Sequence, residues 1–144
     1  MESDLRPFKV LFLCTGNSAR SIFGEYLLRR AGASRFQVFS AGSFPTGKVN
    51  PFAIQVLKDV YHINASDARS KSWEEFNDVE FDFVITVCDS ARQVCPVFPR
   101  EGERLHWDVE DPSDIETRGI PLADAFRMAR DELRKRIELF VNEH

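Results

Sequence analysis

The sequence predicts an α/β fold, a single domain with a mostly parallel four-stranded sheet and helices on both faces. Strand-like and helix-like segments alternate along the chain, a pattern typical of strands joined by helical crossovers. A length of 144 residues fits one domain, to which we assign residues 1–144. Ligands of such sheets bind beyond the carboxyl ends of the strands. The functional site is therefore expected where the predicted strands end.

The first half of the chain predicts two strands and two helices. The apolar run Val10–Leu13 has the length and composition of a buried strand. Apolar residues recur at helical spacing after Arg20 and predict the first helix. Phe36–Ser40 predicts the second strand, and Asn50 followed by Pro51 marks the start of the second helix.

The second half predicts two further strands and a closing helix. A polar stretch around Trp73 predicts a loop with a short helical turn. Phe81–Val87 predicts the third strand and Arg104–Val109 a short fourth strand. Residues 108–119 predict an acidic loop, after which Pro121 starts the last helix. The predicted core stripe of that helix is Leu122, Phe126, Ala129, Leu133, Ile137 and Phe140.

Composition and charge exclude several classes of protein. The net charge of -4 argues against nucleic acid or an anionic membrane as a partner. No apolar stretch reaches the length of a membrane span and Met1–Pro7 is polar, so we expect a cytosolic protein. Three cysteines without paired spacing fit reactive thiols in a reducing compartment better than a disulfide framework. The histidines show no metal-ligand spacing, and no metal site is predicted.

The stretch between the first strand and the first helix carries the predicted chemistry. Backbone N–H groups of a tight loop and of a helix N-terminus can converge on one bound oxyanion. Arg20 adds a planar fork of donors suited to a tetrahedral anion. Cys14 lies at the strand end in the same positive field, which favours its thiolate and makes it the predicted nucleophile. The predicted anion-binding residues are Thr15, Gly16, Asn17, Ser18, Ala19, Arg20 and Ser21.

Cys14 and Arg20 enclose five residues, and Ser21 follows them directly. This pattern after an N-terminal strand resembles the active-site loop of the low-molecular-weight tyrosine phosphatase fold. The resemblance extends from Lys9 to the last helix and implies a phosphatase-like anion-binding loop after the first strand. Phosphatases and thioredoxin-coupled arsenate reductases share this fold, and the loop does not separate the two.

Two further cysteines favour the reductase. Cys88 ends the predicted third strand, and Cys95 follows after six residues with a proline behind it. This segment resembles the redox segment of thioredoxin-coupled arsenate reductases. The resemblance implies that the Cys14 thiolate attacks arsenate, that Cys88 then attacks Cys14, and that Cys95 finally attacks Cys88. It also implies thioredoxin as the electron donor and no bound cofactor.

The resemblance further implies that Asp111, in an Asp-Pro loop, is the general acid. Asp108 is a lesser candidate, and an ordinary solvated acid is the alternative for Asp111. In phosphatases of this fold the residue after the Asp-Pro pair is usually aromatic. Here it is Ser113, which weakens the phosphatase interpretation.

Three functions are open on the sequence alone. The preferred one is arsenate reduction, because five residues of its machinery occur together: Cys14, Cys88, Cys95, Arg20 and Asp111. The second is hydrolysis of phosphate monoesters by the same loop, and the third is non-catalytic oxyanion binding or thiol sensing. Phosphate and sulfate are expected to compete with arsenate as oxyanions.

Lys71 occupies an unexpected position. Some arsenate reductases of this family bind a potassium ion beside the loop, through side chains that match Asn17, Glu25 and Ser40 here, together with an acid. Counting back from Cys88, that acid's position falls on Lys71. We therefore predict that Lys71 supplies a built-in cation near Glu25. The alternative is that Lys71 points into water.

Overall fold

The computed structural model describes residues 7–17, 19–43, 45–87, 102–107, 109 and 119–144. Its strands and α-helices are, in chain order, β1 (Phe8–Cys14), α1 (Arg20–Gly32), β2 (Phe36–Gly42), α2 (Pro51–Tyr61), β3 (Phe83–Thr86), β4 (Glu103–His106) and α3 (Leu122–Glu143). Short 3-10 helices occupy Ala33–Arg35 and Trp73–Phe76.

The four strands form one parallel sheet in the order β2-β1-β3-β4. In this register Cys14 of β1 lies beside Gly42 of β2, and Leu13 lies beside Thr86 of β3. The carboxyl ends of the strands therefore meet at one edge of the sheet, where ligands of such folds bind. Because β1 has a neighbour on each side, Cys14 lies in the middle of that edge.

Helices cover both faces of the sheet, which confirms the predicted fold class. On one face α1 packs closely on Phe12, and a Cβ at Gly24 would approach the Phe12 ring to 2.6 Å. Glycine at this helical position therefore permits the close contact. On the other face, Phe39 of β2 packs edge-on against Phe76 of the second 3-10 helix, with ring centroids 5.3 Å apart.

The closing helix α3 packs against α1 and contributes the predicted stripe to the core. Phe126, Ala129, Leu133, Ile137 and Phe140 are all buried, as predicted, whereas the side chain of Leu122 lies outside the described part of the structure. No helix within the described ranges is long and apolar enough to cross a membrane.

The start of α2 also confirms its sequence signals. Asn50 Oδ1 accepts a hydrogen bond from Phe52 N at 2.9 Å, and Pro51 takes the first helical position. The helix ends at Tyr61, and the next residue, His62, caps it with a left-handed φ of 56°.

All four strands differ from their predicted bounds. β1 (Phe8–Cys14) and β2 (Phe36–Gly42) are longer than the predicted Val10–Leu13 and Phe36–Ser40. β3 is Phe83–Thr86 rather than Phe81–Val87, although backbone bonds to β1 continue at both of its ends, from Asp82 N to Lys9 O at 2.8 Å and from Val87 N to Leu13 O at 2.9 Å. Before the first residue of β3, Lys9 N also donates to the side chain of Asp82, at 2.8 Å from Oδ2. β4 is Glu103–His106 rather than Arg104–Val109.

Candidate active site

Cys14 is the last residue of β1, and its side chain is buried against the loop that follows. Its Sγ lies 3.1 Å from Ser21 Oγ and accepts a hydrogen bond from Asn17 N at 3.3 Å. α1 begins directly after the loop, and Phe23 N donates to Ala19 O at 2.8 Å. The loop and the first turn of the helix thus each supply one group that contacts the sulfur.

The outside of the loop is braced by residues that sequence reasoning missed. Gly16 O accepts hydrogen bonds from Ser70 Oγ at 2.9 Å and from Thr46 N at 3.1 Å. Gly42 permits the close approach of β2, because a Cβ there would lie 2.5 Å from Thr15 O. Nothing in the local sequence signals these contacts, which depend on distant segments that meet only in the fold.

Asn17 holds the centre of the loop in an uncommon backbone conformation. Its φ is 48°, in the left-handed region that costs most residues other than glycine. The side chain is fully buried and bonded at both ends. Asn17 Nδ2 donates to Ser21 Oγ at 2.8 Å and to Ser40 Oγ at 3.1 Å, while Oδ1 accepts from Lys71 N at 2.9 Å. These bonds hold the strained residue in place.

Lys71 points inward, which confirms the predicted placement of its ammonium and contradicts the alternative that it points into water. Only 8% of the Lys71 surface is exposed to solvent. Nζ donates to Arg69 O at 2.8 Å, to Ser40 Oγ at 3.3 Å and to Asn17 Oδ1 at 3.4 Å, and it lies 4.0 Å from Glu25 Oε1. Burial lowers the pKa of Lys71, and the nearby Glu25 carboxylate opposes that shift. Its role as the replacement of a potassium ion stays a prediction.

A cavity of about 500 Å³ lies beside the Lys71–Glu25 pair. Tyr26 lines it and donates to Asp67 Oδ1 at 2.9 Å. The pKa of Tyr26 is raised to about 12, mainly by burial and secondly by this hydrogen bond. Arg29 lies over the Tyr26 ring, 4.9 Å from its centroid, and forms an ion pair with Glu25.

Arg20 connects the loop to the segment that follows β4. Its Nη1 donates to Val109 O at 3.0 Å. Val109 is buried, and it lies two positions before Asp111 in the sequence. The predicted anion-binding arginine thus contacts the chain close to the predicted general acid.

Five of the candidate residues lie outside the described part of the structure: Ser18, Cys88, Cys95, Asp108 and Asp111. Their roles stay predictions. Val87, which precedes Cys88, donates from its backbone N to Leu13 O at 2.9 Å. Val87 therefore lies beside the end of β1, where Cys14 lies.

Among the described residues, metal binding and the role of His106 depend on the side chains that lie near one another. No group of three or more His, Cys, Asp and Glu side chains in those ranges is placed to hold a metal ion. His106 Nδ1 lies 2.8 Å from Thr86 Oγ1, a contact between neighbouring strands that suits a structural residue.

Comparison with known proteins agrees with this geometry. A family model described as low molecular weight phosphotyrosine protein phosphatase matches residues 9–143. The chain belongs to this family. Among its curated relatives is an arsenate reductase of Halalkalibacterium halodurans, which is 37% identical over 132 residues, covering 92% of this chain and 94% of the relative.

The solved structures that are similar to this chain include both arsenate reductases and a protein tyrosine phosphatase. An arsenate reductase in the phosphate binding state has a TM-score of 0.79 at 30% identity, covering 94% of this chain and 98% of that one. A low molecular weight protein tyrosine phosphatase from T. tengcongensis has a TM-score of 0.76 at 29% identity, covering 95% and 99%. A thioredoxin-dependent arsenate reductase from Corynebacterium glutamicum has a TM-score of 0.65 at 27% identity, covering 93% of this chain and 63% of that one.

Proposed function

We propose that this protein reduces arsenate to arsenite through a relay of three cysteines, with thioredoxin as the final reductant. The observation that carries the proposal is the buried Cys14 at the end of β1, contacted by Asn17 N and Ser21 Oγ in a loop of the phosphatase family. The curated relative at 37% identity is an arsenate reductase, which favours this reaction over the others that the loop supports.

In the first step the oxyanion binds in the loop, oriented by backbone N–H groups and by the Arg20 guanidinium. The Cys14 thiolate attacks arsenic, and an S–As bond forms as an As–O bond breaks. Asp111 gives its proton to the departing oxygen, which leaves as water. Asn17 N donates to the Cys14 sulfur at 3.3 Å and Ser21 Oγ lies 3.1 Å from it, so both groups position the nucleophile in the loop.

In the second step the Cys88 thiolate attacks Cys14 Sγ. A disulfide forms and the S–As bond breaks with its electron pair on arsenic, so As(V) leaves as As(III). Cys95 then attacks Cys88 and releases Cys14 as a thiolate. The Cys88–Cys95 disulfide requires the two Cα atoms to come within roughly 4.4 to 6.8 Å. Thioredoxin reduces it, and one arsenate thereby consumes two thiols.

A thiol count tests this proposal without thioredoxin. Reduced protein is mixed with an excess of arsenate, and free thiols and arsenite are measured together. The chain has three cysteines, so the formation of one disulfide leaves 3 − 2 = 1 free thiol and one arsenite per protein molecule. Arsenite release without thiol loss, or thiol loss without arsenite, would contradict the relay.

The second candidate is hydrolysis of phosphate monoesters, which the T. tengcongensis phosphatase favours as a solved structure of the same fold. The loop would then form a cysteinyl-phosphate on Cys14 and release it to water. Turnover of an aryl phosphate by a variant with both Cys88 and Cys95 replaced by serine would support it. If neither activity is found, non-catalytic oxyanion binding or thiol sensing remains.

We also propose that phosphate and sulfate compete with arsenate for the loop, since these tetrahedral oxyanions offer similar acceptors to its donors. The expected cytosolic location suits the relay, because its thiols must start each cycle reduced.

A further inference from the structure

The cavity beside Lys71 is separate from the active-site loop. Its volume of about 500 Å³ is in the range of small-molecule sites. No described residue of the loop, 14–21, lines it. Its walls come from α1, from the edge strand β2, from residues 67–71 and from Phe76 of the second 3-10 helix. The reaction proposed for the loop gives this cavity no role.

The cavity exists because the β2 edge of the sheet is closed only near its carboxyl end. β2 comes first in the order β2-β1-β3-β4, so within the described ranges no further strand lies along its outer side. Near the end of β2, Gly42 N donates to Lys71 O at 2.9 Å, and Gly42 forms a single parallel bridge with Ser72. Beside the earlier residues, from Phe36 to Phe39, lies the cavity. A ligand there occupies the space that a fifth strand would fill.

Arg29 brings unpartnered hydrogen-bond donors to this cavity. Its Nη2 donates to Glu25 Oε2 and to Val38 O, the second at 2.7 Å. A guanidinium has five N–H groups, so these two bonds leave three, on Nε and Nη1, without an acceptor among the described residues. The Arg29 side chain is 44% exposed, which leaves these donors open to a ligand. An anionic acceptor makes the strongest hydrogen bonds with such donors.

The charges around the cavity favour a ligand with a single negative charge. Burial lowers the pKa of Lys71, the Glu25 carboxylate opposes that shift, and the nearby charges of Arg69 and Arg29 lower the pKa further. Three cationic side chains therefore converge on this space. Glu25 and Asp67 also line it, and they would repel a doubly charged phosphate more than a carboxylate.

Asp67 offers the acceptor that complements these donors. Its Oδ1 accepts from Tyr26 OH at 2.9 Å, whereas Oδ2 has no hydrogen-bond partner in the part of the chain that the structure describes. Arg29 Cζ lies 4.9 Å from the centroid of the same Tyr26 ring. The donors and the acceptor are thus separated by about the length of one tyrosine side chain. A ligand of one or two rings spans that separation.

The apolar wall of the cavity is aromatic. Phe39 and Phe76 both line it and are only partly buried. Their rings meet edge-on, with centroids 5.3 Å apart. A flat ring packed against them removes apolar surface from water and gains aromatic contact. We therefore expect the body of the ligand to be aromatic.

We propose that this cavity binds an aromatic carboxylic acid of one or two rings with an N–H or O–H group away from its carboxylate. The carboxylate binds Arg29, the ring packs on Phe39 and Phe76, and the N–H or O–H donates to Asp67. The inference goes beyond the proposed reaction and holds whichever reaction the loop performs. Indole-3-acetate carries all three groups and is the probe for the test.

The test is an NMR titration of the ¹⁵N-labelled protein with indole-3-acetate. About a dozen ligand atoms at ordinary ligand efficiency supply a dissociation constant of about 1 mM or lower. The amide signals of Gln37 and Ala68, which line the cavity, should shift more than that of Gly16 in the loop. Indole-3-acetamide lacks the charge and should bind about 10- to 100-fold more weakly, the contribution of a charge-assisted hydrogen bond. 1-Methylindole-3-acetate lacks the N–H group and should bind about 3- to 10-fold more weakly.

Variants then locate the bound carboxylate. Arg29→Met should weaken binding of indole-3-acetate by about 10- to 100-fold, because it removes the donors. Arg30→Met replaces the next arginine of α1, which does not line the cavity, and is the matched control. Arg20→Met should also leave binding unchanged, because the loop arginine takes no part. If Arg29→Met does not fold, Ala68→Trp fills the cavity with a side chain and should abolish binding.

Four results would overturn the proposal. They are the absence of signal shifts at about 10 mM indole-3-acetate, equal binding of indole-3-acetamide, native affinity in folded Arg29→Met or Ala68→Trp, and loss of binding in Arg20→Met. The last result would place the carboxylate in the oxyanion loop instead.

Discussion

Asn17 and Lys71 lie 54 positions apart in the sequence, yet Lys71 N donates to Asn17 Oδ1 at 2.9 Å. The bond joins the left-handed residue of the active-site loop to the segment that runs beside the end of β2, where Gly42 N donates to Lys71 O at 2.9 Å. The loop is thus attached to the sheet through Lys71 as well as through its own chain. Its geometry depends on a segment far from it in sequence.

The order of the thiol relay is open to direct trapping. Cys14→Ser should abolish arsenate reduction, because no S–As bond forms. Cys95→Ser should allow one turnover and then stop with a Cys14–Cys88 disulfide, since the thiol that releases Cys14 is missing. Mass mapping of the stalled protein identifies the bond, and a free Cys14 after arsenite release would rule out the proposed order.

The assignment of Asp111 as the general acid is tested by replacing Asp111 and the nearby Asp108 one at a time. Asp111→Asn should keep oxyanion binding and slow the first chemical step by roughly 10²- to 10⁴-fold, the usual contribution of a positioned acid. Asp108→Asn is the matched control and should have the smaller effect. Rapid-mixing measurements of the single-turnover rate compare the two, and a larger loss in Asp108→Asn would transfer the role to that residue.

If the Lys71 ammonium takes the place of a bound cation, the activity and stability of the protein should not depend on potassium. Activity and melting temperature should be equal in potassium, sodium and choline salts at constant ionic strength, because the Lys71 ammonium already lies among Asn17, Ser40 and Glu25. Lys71→Asp should become responsive to potassium, since it replaces the ammonium with a carboxylate. Clear stimulation of the unmodified protein by potassium would disprove the prediction.

The phenol of Tyr26 is predicted to lose its proton at a higher pH than an ordinary tyrosine. Its pKa is raised to about 12 from 10.0, chiefly by burial, so the neutral phenol is favoured in the folded state. The stability that this group contributes is present below pH 10 and is lost as the pH rises towards 12.

The chain has two tyrosines, so Tyr61→Phe leaves Tyr26 as the only phenol. The ultraviolet absorbance of phenolate in that variant should rise near pH 12 while the protein remains folded. Asp67→Asn should lower the midpoint of the Tyr26 titration, because it removes the carboxylate that accepts a hydrogen bond from the phenol. A midpoint near 10 in folded Tyr61→Phe would show that Tyr26 is not held as described.

The elements that carry the site were predictable because their signals are local. The apolar run before Cys14, the small polar residues of the loop and the Asn50–Pro51 cap each specify structure within a few residues. The parallel pairing follows from the alternation of strands and helices, whereas the order β2-β1-β3-β4 was not predicted and emerged from the structure.

The contacts that hold the loop could not be predicted in the same way. Ser70 and Thr46 brace Gly16 from segments that carry no motif, and their positions depend on how those segments pack. Lys71 was placed only through the resemblance to a family with a potassium site, and its bonds to Asn17 and Arg69 emerged from the structure. The bond from Lys9 N to the side chain of Asp82, beside the start of β3, likewise has no signal in the local sequence.

The most direct test of the account is arsenate-dependent oxidation of NADPH in the presence of thioredoxin and thioredoxin reductase. We predict that NADPH is consumed only when arsenate, this protein and thioredoxin are all present, that arsenite accumulates in equal amount, and that Cys88→Ser abolishes both. Hydrolysis of an aryl phosphate without any arsenate-dependent consumption of NADPH would contradict the account and favour the phosphatase.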